Sequence, residues 1–378
     1  MKHTITGHTG LICLLGSPCA HSISPMMHNA AFEALDLDYR YLAFDVNEET
    51  LPAAVDGLKA MNARGFNLTM PDKNRMVSLC DQLSPAARLI GAVNTVVNDN
   101  GVLTGHNTDG AGYMQSVKDA GFQISGEKMT LLGAGGAATA ILVQAALDGV
   151  REISVFLRPS SRFYDRARET AEALRKKTGC IISLCDFSDH DRLRSELSQS
   201  RILTNATSLG MAPSEDACPI PDAAFLPDGL IVSDIIYNPK ETRLLSMARA
   251  KGLPAFNGSY MLLYQGAEAF RLWTGKEMPV ALIKKYVFSL KQQRSRCFID
   301  DFPSILQRPL YLRQELLPPH GVPGRLFLFL LCHLFCHGKQ FLRAHTLFKC
   351  KQAIADVLLF PCHCGRGHDL DFIASVGH

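Results

Sequence analysis

The stretch GSPCAHSISPMMHNAAF, at residues 16–32, places Ser22 and Ser24 one residue apart, just before a proline and an apolar run. Two hydroxyls at this spacing can donate hydrogen bonds to one small anion, such as a carboxylate. The same residues suit a turn, with Ser24 as the N-cap of a helix that carries proline in its first turn. The stretch therefore allows an anion pocket, a helix start, or both.

A glycine turn, GAGGAA at residues 133–138, fits a pattern that binds dinucleotides. Glycines let the backbone approach a pyrophosphate, and the N-terminus of the following helix attracts negative charge. The pattern lies between a predicted strand and a predicted helix, which is the context it requires. A glycine turn packed tightly for the fold alone is the alternative. The predicted cofactor-binding residues here are Gly133, Ala134, Gly135, Gly136 and Ala137.

The next predicted strand ends in FLRPSSR, residues 156–162, without the acid that would bind the ribose diol of NAD. Arg158 and Arg162 stand there instead and favour a 2′-phosphate, and therefore NADP. The pattern does not exclude NAD, and both arginines could equally be solvated loop charges.

Four further segments combine polar groups with predicted strand ends or loops. Taken singly, each could be ordinary turn chemistry, because Asn, Asp, Gly and Pro suit turns for backbone reasons. They are NLTMPDK (67–73), GAVNTVV (91–97), GHNTDG (105–110) and NGSYMLLYQGAEAF (257–270).

The elements that must position these groups alternate between short apolar runs and helix-like stretches, which is typical of an α/β fold with mostly parallel sheets. A first series covers residues 11–110, and a second begins at Lys128. Predicted strands lie at 11–16, 39–46, 65–70 and 152–158, and further strand ends at 201–211 and 230–239. Predicted helices lie at 24–35, 51–61 and 261–275, with a last short one at 280–290, and 129–149 is strand, turn and helix.

Composition narrows the class of protein. The 378 residues suggest two or three domains, and 47% hydrophobic residues suffice for a core. A net charge of +3 gives no sign of nucleic acid or membrane as a partner. With no apolar leader after a charged start, we expect a cytoplasmic protein with reduced thiols.

Together, the polar segments resemble the shikimate/quinate dehydrogenase family, and the quinate/shikimate branch most. The resemblance covers residues 11–288, with the family's motifs in order: HSxSPxxHN, T-x-P-x-K, GAxNT, NTDG, GAGGA, NATSxGM, YNP and GxxMLxxQGAExF. It implies an N-terminal α/β substrate-binding domain and a Rossmann-like dinucleotide-binding domain, with a cleft between them. The expected boundaries are 1–110 plus 261–290 for the first domain and 111–260 for the second.

The resemblance also implies site residues. Lys73 and Asp109 match the catalytic pair, which would remove the hydroxyl proton of a secondary alcohol as hydride leaves for the cofactor. Ser22 and Ser24 match the residues that hold the substrate carboxylate. Other matches are Tyr41 near the carboxylate, Thr69, Asn94 and Gln265 at the ring hydroxyls, and Thr207, Met211, Tyr237, Gly258 and Met261 at the nicotinamide end. His21 and His28 match no proton-transfer residue, and Met261 also suits a core position.

The implied function is the NADP- or NAD-dependent interconversion of shikimate and 3-dehydroshikimate, and of quinate and 3-dehydroquinate. No metal is needed, and the partner is a small-molecule substrate rather than nucleic acid or membrane. The oligomeric state stays open, with a homodimer as the candidate assembly. The alternative is a catalytically inactive metabolite sensor on the same fold, which would lack Lys73 or Asp109.

Residues 291–378 depart from the family. This tail holds eleven Lys and Arg against six Asp and Glu, and seven of the thirteen histidines lie beyond residue 319. Its cysteines and histidines could be zinc ligands, but spacings such as C-x3-C and C-x-C match no regular zinc motif. A partner-seeking apolar tail is a further alternative. We expect an irregular extension without an evolved core.

Overall fold

The computed structural model describes residues 4–288, and side chains to residue 286. This part of the chain contains two six-stranded sheets with helices packed against them. The predicted tail at 291–378, and the last two residues of the helix predicted at 280–290, lie outside the described residues.

The first sheet is assembled from residues 10–106. Its strands are β1 (Gly10–Gly16), β2 (Tyr39–Asp45), β3 (Gly65–Leu68), β4 (Gln82–Leu83), β5 (Thr95–Asp99) and β6 (Val102–His106), in the order β2-β1-β3-β5-β6-β4. Three helices lie between these strands: α1 (Ser24–Ala34), α2 (Leu51–Ala60) and α3 (Pro85–Ile90). β1 pairs in parallel with β2 and β3, as the alternation predicts.

An antiparallel hairpin of β5 and β6 interrupts this parallel pattern. Asn100 and Gly101 form its turn with φ of 53° and 90°, and an Asn-Gly pair favours such left-handed turns. The strands predicted from the sequence include neither β5 nor β6, so the hairpin was not predicted. Its register places Thr95 opposite His106, which brings the neighbouring residues Asn94 and Asn107 to the same end of the sheet.

The second sheet is parallel throughout. Its strands are β7 (Lys128–Leu132), β8 (Glu152–Leu157), β9 (Ile181–Asp186), β10 (Ile202–Asn205), β11 (Ile231–Asp234) and β12 (Ala255–Phe256), in the order β12-β11-β10-β7-β8-β9. This is the doubly wound order of dinucleotide-binding folds, which bind ligands at the carboxyl ends of the strands where the order reverses. Here the reversal lies between β7 and β10. The predicted α/β fold with a Rossmann-like part is therefore confirmed.

Four helices lie along the second sheet: α5 (Gly136–Leu147), α6 (Tyr164–Thr178), α7 (His190–Gln199) and α8 (Arg243–Ala250). The helix α4 (Asp109–Asp119) precedes this sheet in the chain, and α9 (Ser259–Thr274) follows it. α4 and α9 pack so closely that a Cβ on Gly112 would lie 2.5 Å from the backbone nitrogen of Gln265. Glycine at this position therefore sets the approach of the two helices.

The last described helix, α10 (Val280–Ile283), continues into a π turn (Lys284–Phe288) that is fastened to α4. The Lys284 Nζ atom lies 2.5 and 2.6 Å from the carboxylate oxygens of Asp119, the last residue of α4. Tyr264 of α9 donates its hydroxyl to the same carboxylate at 2.7 Å. These contacts join α4, α9 and the end of the described chain.

Apolar side chains fill both faces of each sheet. Trp273, Phe270 and Phe32 pack with Tyr41 on one face of the first sheet, and the Trp273 indole donates to the Val96 carbonyl at 2.9 Å. The central strands of the second sheet are buried on both faces, which explains their continuous apolar sequence. Across residues 4–288, the helices are too short or too polar to cross a membrane.

A buried ion pair joins β7 of the second sheet to α7. Lys128 and Glu196 approach to 2.6 Å, with each side chain only 4% exposed. Burial alone would raise the pKa of Glu196, but hydrogen bonds from Lys128 and Ser154 outweigh it and hold that pKa below its ordinary value. The pair therefore stabilises the fold fully at pH values above the ordinary carboxyl pKa. This stabilisation is lost as the pH falls through the lowered pKa of Glu196.

We expect Lys128→Met to lower the free energy of unfolding by about 1–3 kcal/mol, because the buried Glu196 then keeps only Arg192, at 2.5 Å, as its cation. Urea denaturation at neutral pH measures the loss. The matched control is Arg168→Met, which removes an exposed ion pair to Asp165 and should cost less than about 1 kcal/mol. Equal losses in the two variants would contradict the role given to the buried pair.

Candidate active site

Lys73 and Asp109 meet beyond the carboxyl ends of β3 and β6 in the first sheet. The Lys73 Nζ atom lies 2.7 Å from Asp109 Oδ2, and the side chains are 27% and 14% exposed. Lys73 stands in the loop after β3, and Asp109 is the first residue of α4. The positive end of the α4 dipole favours the carboxylate there. The pair is partly shielded but open enough to receive a ligand.

Asn94 holds the second oxygen of the same carboxylate. Its Nδ2 donates to Asp109 Oδ1 at 2.8 Å, and its Oδ1 accepts from the Thr108 backbone nitrogen at 2.9 Å. The Val93 nitrogen donates to the Lys73 carbonyl at 2.8 Å, so the two loops are also joined through the backbone. Lys73, Asn94 and Asp109, predicted from three separate segments, are thus brought together.

Asn107 makes the local turn that was the alternative explanation for the segment GHNTDG (105–110). Its Oδ1 accepts from the Asp109 nitrogen at 3.2 Å, and its Nδ2 donates to the Ala92 carbonyl at 3.0 Å. Both oxygens of Asp109 therefore face Lys73 and Asn94 instead of the backbone.

The two serines lie where α1 begins. The Ser22 Oγ atom accepts from the Ser24 nitrogen at 3.2 Å, and Ser24 is buried. The suggestion that Ser24 is the N-cap is wrong, because α1 already includes Ser24 and its N-cap is Ile23, whose side chain makes no capping hydrogen bond. Pro25 does occupy the first turn. The Ser24 hydroxyl is thus not engaged in capping.

Tyr41 is fully buried beside these serines. Burial raises its pKa well above the ordinary value, and the Ser24 side chain only partly offsets this, so the phenol is neutral at neutral pH. Its hydroxyl donates to Asn67 Oδ1 at 2.7 Å. Asn29 fixes its backbone with two hydrogen bonds of 2.8 and 2.9 Å.

His28 stacks on the Tyr41 ring, with centroids 4.5 Å apart, and meets the edge of Trp273 at 5.3 Å. Burial lowers its pKa to about 3, so the imidazole is neutral. The structural role expected for His28 fits this packing, whereas His21 lies exposed at the surface.

Thr69 and Gln265 lie on separate elements, a loop and α9. Thr69 begins the loop that carries Lys73, and packs so tightly that a Cβ on Gly16 would lie 2.3 Å from its methyl group. Gln265 lies on α9 against Gly112, about one turn along α4 from Asp109. Its Nε2 donates to the Leu262 carbonyl at 3.1 Å, within its own helix.

The glycine turn follows β7 and leads into α5, at the point where the strand order reverses. Gly133 has a φ of 105°, and a Cβ there would lie 2.8 Å from the Ala206 carbonyl oxygen. At Gly135 and Gly136 a Cβ would meet nothing within 4 Å, so their backbone faces open space. The first turn of α5 carries no acid. This cradle fits the pyrophosphate of a dinucleotide.

The loop after β8 leaves its arginines at the surface. Arg158 and Arg162 are exposed, while β8 ends in the buried Leu157. The Ser161 hydroxyl accepts from the Phe163 nitrogen at 3.2 Å, which shapes the loop before α6. Residues 157–162 contain no carboxylate that would repel a 2′-phosphate.

The residues predicted at the nicotinamide end have different surroundings. Met211 and Tyr237 are each 44% exposed, whereas Met261 is 9% exposed and packs in the core. Met261 therefore fits the core position given as its alternative. A Cβ on Gly258 would lie 1.8 Å from the Ile235 carbonyl oxygen, so only glycine fits there.

A buried polar group that the sequence analysis missed supports Thr207. Asn205 Oδ1 accepts from the Thr207 hydroxyl at 2.7 Å, and Asn205 Nδ2 donates to Asp234 Oδ1 at 3.1 Å. The Thr242 hydroxyl donates to Asp234 Oδ2 at 2.8 Å. Burial raises the pKa of Asp234, with these hydrogen bonds opposing it. The signal was in the sequence, since Asn205 and Asp234 each end an apolar strand.

Comparison with known proteins places this geometry in a family. The profile of the "Shikimate dehydrogenase substrate binding domain" matches residues 14–96, and that of the "Shikimate 5'-dehydrogenase C-terminal domain" matches residues 258–287. These segments include Lys73, Asn94 and Gln265. The family profiles therefore fall on both parts of the chain that reach the candidate site.

Curated relatives extend the match. A "Shikimate dehydrogenase (NADP(+))" of Listeria monocytogenes serotype 4b (strain F2365) is 55% identical over 284 residues, which are 75% of this chain and 97% of the relative. A "Quinate/shikimate dehydrogenase" of Escherichia coli (strain SMS-3-5 / SECEC) is 43% identical over 281 residues, 74% of this chain and 97% of the relative.

A solved structure agrees with the sequence comparisons. The shikimate 5-dehydrogenase from Listeria monocytogenes, crystallised in complex with shikimate and NAD, superposes with a TM-score of 0.73 at 54% identity. The alignment covers 75% of this chain and 98% of that one. With an identity this high over nearly the whole length of its relatives, the chain belongs to the shikimate dehydrogenase family.

Proposed function

We propose that this chain oxidises shikimate to 3-dehydroshikimate, and reduces the product in the reverse direction, with NADP or NAD, and that it also accepts quinate. The observation that carries the proposal is the Lys73–Asp109 ion pair of 2.7 Å, held by Asn94 near the end of the first sheet. A secondary alcohol placed against this pair has a proton acceptor and a cation at its oxygen. Both are needed when the alcohol carbon loses hydride.

Lys73 and Asp109 act as a unit in this proposal. During oxidation Lys73 takes the hydroxyl proton as its ammonium passes one of its own protons to the Asp109 carboxylate, and the ammonium charge stabilises negative charge on the substrate oxygen. During reduction the proton returns by the same route, from Asp109 through Lys73 to that oxygen. Asn94 keeps the carboxylate turned toward Lys73, so the pair needs little rearrangement during the reaction. When bound, the nicotinamide cofactor supplies the hydride acceptor or donor.

The substrate carboxylate is proposed to bind at the start of α1. Ser22 and Ser24 offer hydroxyls there, at the positive end of the α1 dipole. Tyr41 borders the same place. Thr69, Asn94 and Gln265 are the proposed partners of the ring hydroxyls, because amides and hydroxyls both donate and accept hydrogen bonds.

The dinucleotide is proposed to bind across residues 133–137, with Arg158 at its adenosine end and Thr207, Met211, Tyr237, Gly258 and Met261 toward the nicotinamide. Exposed arginines and the missing acid after β8 favour NADP over NAD. The core packing of Met261 argues for an indirect role there.

We extend the proposal to the organisation of the chain. Each sheet is drawn from a separate range, 10–106 and 128–256, which supports a substrate domain of 1–110 plus 261–290 and a dinucleotide domain of 111–260.

We propose a cytoplasmic location, in keeping with free cysteines at positions 13, 19, 80, 180, 185 and 218. A homodimer stays a prediction. The alternative of an inactive sensor has no support, since the relatives of this chain are named dehydrogenases and Lys73 and Asp109 are paired.

Initial rates with shikimate and quinate, each with NADP and NAD, test the activity directly. We expect turnover of shikimate with NADP to give the highest kcat/KM, followed by measurable rates with quinate. The readout is the absorbance of the reduced nicotinamide. An absence of turnover in all four combinations, with folded protein, would contradict the proposed function.

Lys73→Met and Asp109→Asn should each lower kcat by roughly 10²–10⁴-fold, which is the range for loss of a positioned acid or base. The rate of shikimate oxidation measures this. Lys59→Met is the matched control, because it breaks an exposed ion pair with Asp81 of 3.3 Å and should leave kcat unchanged. Retention of more than about a tenth of the wild-type kcat in both site variants would exclude this pair as the proton-transfer groups.

Arg158→Ala should raise the KM for NADP by about tenfold or more, because a charge-assisted contact to a 2′-phosphate is lost. The KM for NAD should change little. Arg151→Ala, which removes an exposed arginine just before β8, serves as control. An equal rise in KM for the two cofactors would contradict a 2′-phosphate contact.

A further inference from the structure

A chain of buried hydrogen bonds connects Tyr41 to the Lys73–Asp109 pair. Tyr41 donates to Asn67 Oδ1 at 2.7 Å, and Asn67 Nδ2 donates to Thr95 Oγ1 at 2.9 Å. Thr95 Oγ1 donates to Asn94 Oδ1 at 2.9 Å. Asn94 Nδ2 then donates to Asp109 Oδ1 at 2.8 Å. The two proposed ends of the substrate pocket are therefore linked by side chains.

The direction of this chain is fixed by backbone groups that cannot change their role. Asn67 Nδ2 also donates to the Asn94 backbone carbonyl at 2.9 Å, which only accepts. Asn67 must therefore turn its amide nitrogen toward Thr95 and its oxygen toward Tyr41. Thr95 receives a hydrogen bond from Asn67, so its single proton is left for Asn94 Oδ1 at 2.9 Å, which is a shorter contact than that to the Thr108 hydroxyl at 3.3 Å.

The backbone also fixes the other end. The Thr108 nitrogen, which only donates, lies 2.9 Å from Asn94 Oδ1. With its oxygen held by Thr108 and by the Thr95 hydroxyl, Asn94 presents its Nδ2 to the Asp109 carboxylate. Turning the Asn94 amide over would place its oxygen against that carboxylate and its nitrogen against the Thr108 N–H. Both contacts would be repulsive.

Thr95 sits at the centre of this arrangement and is itself inaccessible to a ligand. It is 0% exposed, and Asn94 and Asn67 are 2% and 5% exposed. Such a hydroxyl cannot touch a substrate, so its effect must pass through Asn94. Inside the protein, its hydrogen bonds are poorly replaced by water, so their loss leaves Asn67 Nδ2 and Asn94 Oδ1 with fewer partners.

We propose that Thr95 is a positioning residue for the reaction, whose hydroxyl orients the Asn94 amide, and through it the Asp109 carboxylate, in concert with Tyr41. The inference rests on the proposed function, because it assumes that Asn94 and Asp109 act on the substrate. The fold itself depends less on this hydroxyl, since Asn67 and Asn94 each keep a backbone hydrogen bond without it.

Thr95→Val keeps the shape of the side chain and removes the hydroxyl. We expect kcat for shikimate oxidation to fall by roughly 10–100-fold, as a small displacement at a reacting group does, with a smaller change in the KM for shikimate and none in the KM for NADP. Thr95→Ser restores the hydroxyl and should regain most of the lost kcat. Valine and serine variants that are equally impaired would overturn the proposal, as would a valine variant with wild-type kcat.

A matched control separates positioning from a general loss of stability. Thr130 is also 0% exposed in a central strand, and its hydroxyl lies 2.8 Å from Ser200 Oγ, outside the site. Thr130→Val should lower the unfolding midpoint about as much as Thr95→Val while kcat stays at the wild-type value. If both variants lose kcat in proportion to stability, Thr95 is structural only. Should Thr95→Val not fold, Thr95→Ala, which removes the same hydroxyl, is assayed by the same criteria.

The link to Tyr41 has its own test in a double-mutant cycle. Tyr41→Phe removes the donor to Asn67 at the far end of the chain. If the chain acts as one unit, the Tyr41→Phe/Thr95→Val enzyme should lose less kcat/KM than the product of the two single losses. Multiplicative losses would overturn the concerted part of the proposal. Wild-type enzyme without turnover would instead contradict the proposed function itself.

Discussion

Lys73 and Asp109 are 36 residues apart in the sequence, and much of the first sheet serves to bring their side chains within hydrogen-bonding distance. β3 carries the Lys73 loop, and the β5–β6 hairpin brings its two flanking segments together at one end. α4 then begins at Asp109. Shifting the hairpin register by one residue would separate Asn94 from Asp109, because neighbouring residues on a strand face opposite sides. The hairpin is therefore as important to the site as the residues it carries.

The carboxylate is held by one cation and one neutral amide. An amide donor fixes its direction without adding charge, whereas a second cation would compete with Lys73 for the same oxygens. The surrounding network is also neutral: Asn67, Thr95 and Thr108 are uncharged and buried. Neutral groups cost less to bury than ions, provided that each has a hydrogen-bond partner, as Asn67, Thr95 and Thr108 do.

Local patterns were enough to predict strands such as β1, β2 and β8, helices such as α1, α5 and α9, and the glycine turn, because these depend on periodicity and on the needs of a tight turn. They did not predict α4, which begins at Asp109. The resemblance to a family supplied Lys73 and Asp109. Neither approach found the support behind them. Asn67 lay inside a segment already singled out, but its contact with Thr95 depends on the pairing of β3 with the antiparallel β5, which was not predicted. The alternative that Ser24 is an N-cap was wrong, because a serine before proline looks the same whether the helix begins at it or after it.

α4 carries an aspartate at each end, and the two do different work. Asp109 meets Lys73 at the N-terminus, and Asp119 binds Lys284 at the C-terminus, where a cation also offsets the helix dipole. The helix between them is an eleven-residue rod of about 16 Å. Tension applied to the polypeptide after α10 would therefore reach the C-terminal end of α4, whose other end holds the carboxylate proposed to be catalytic. A fusion partner or surface tether that pulls on the segment after α10 would therefore act on the candidate site.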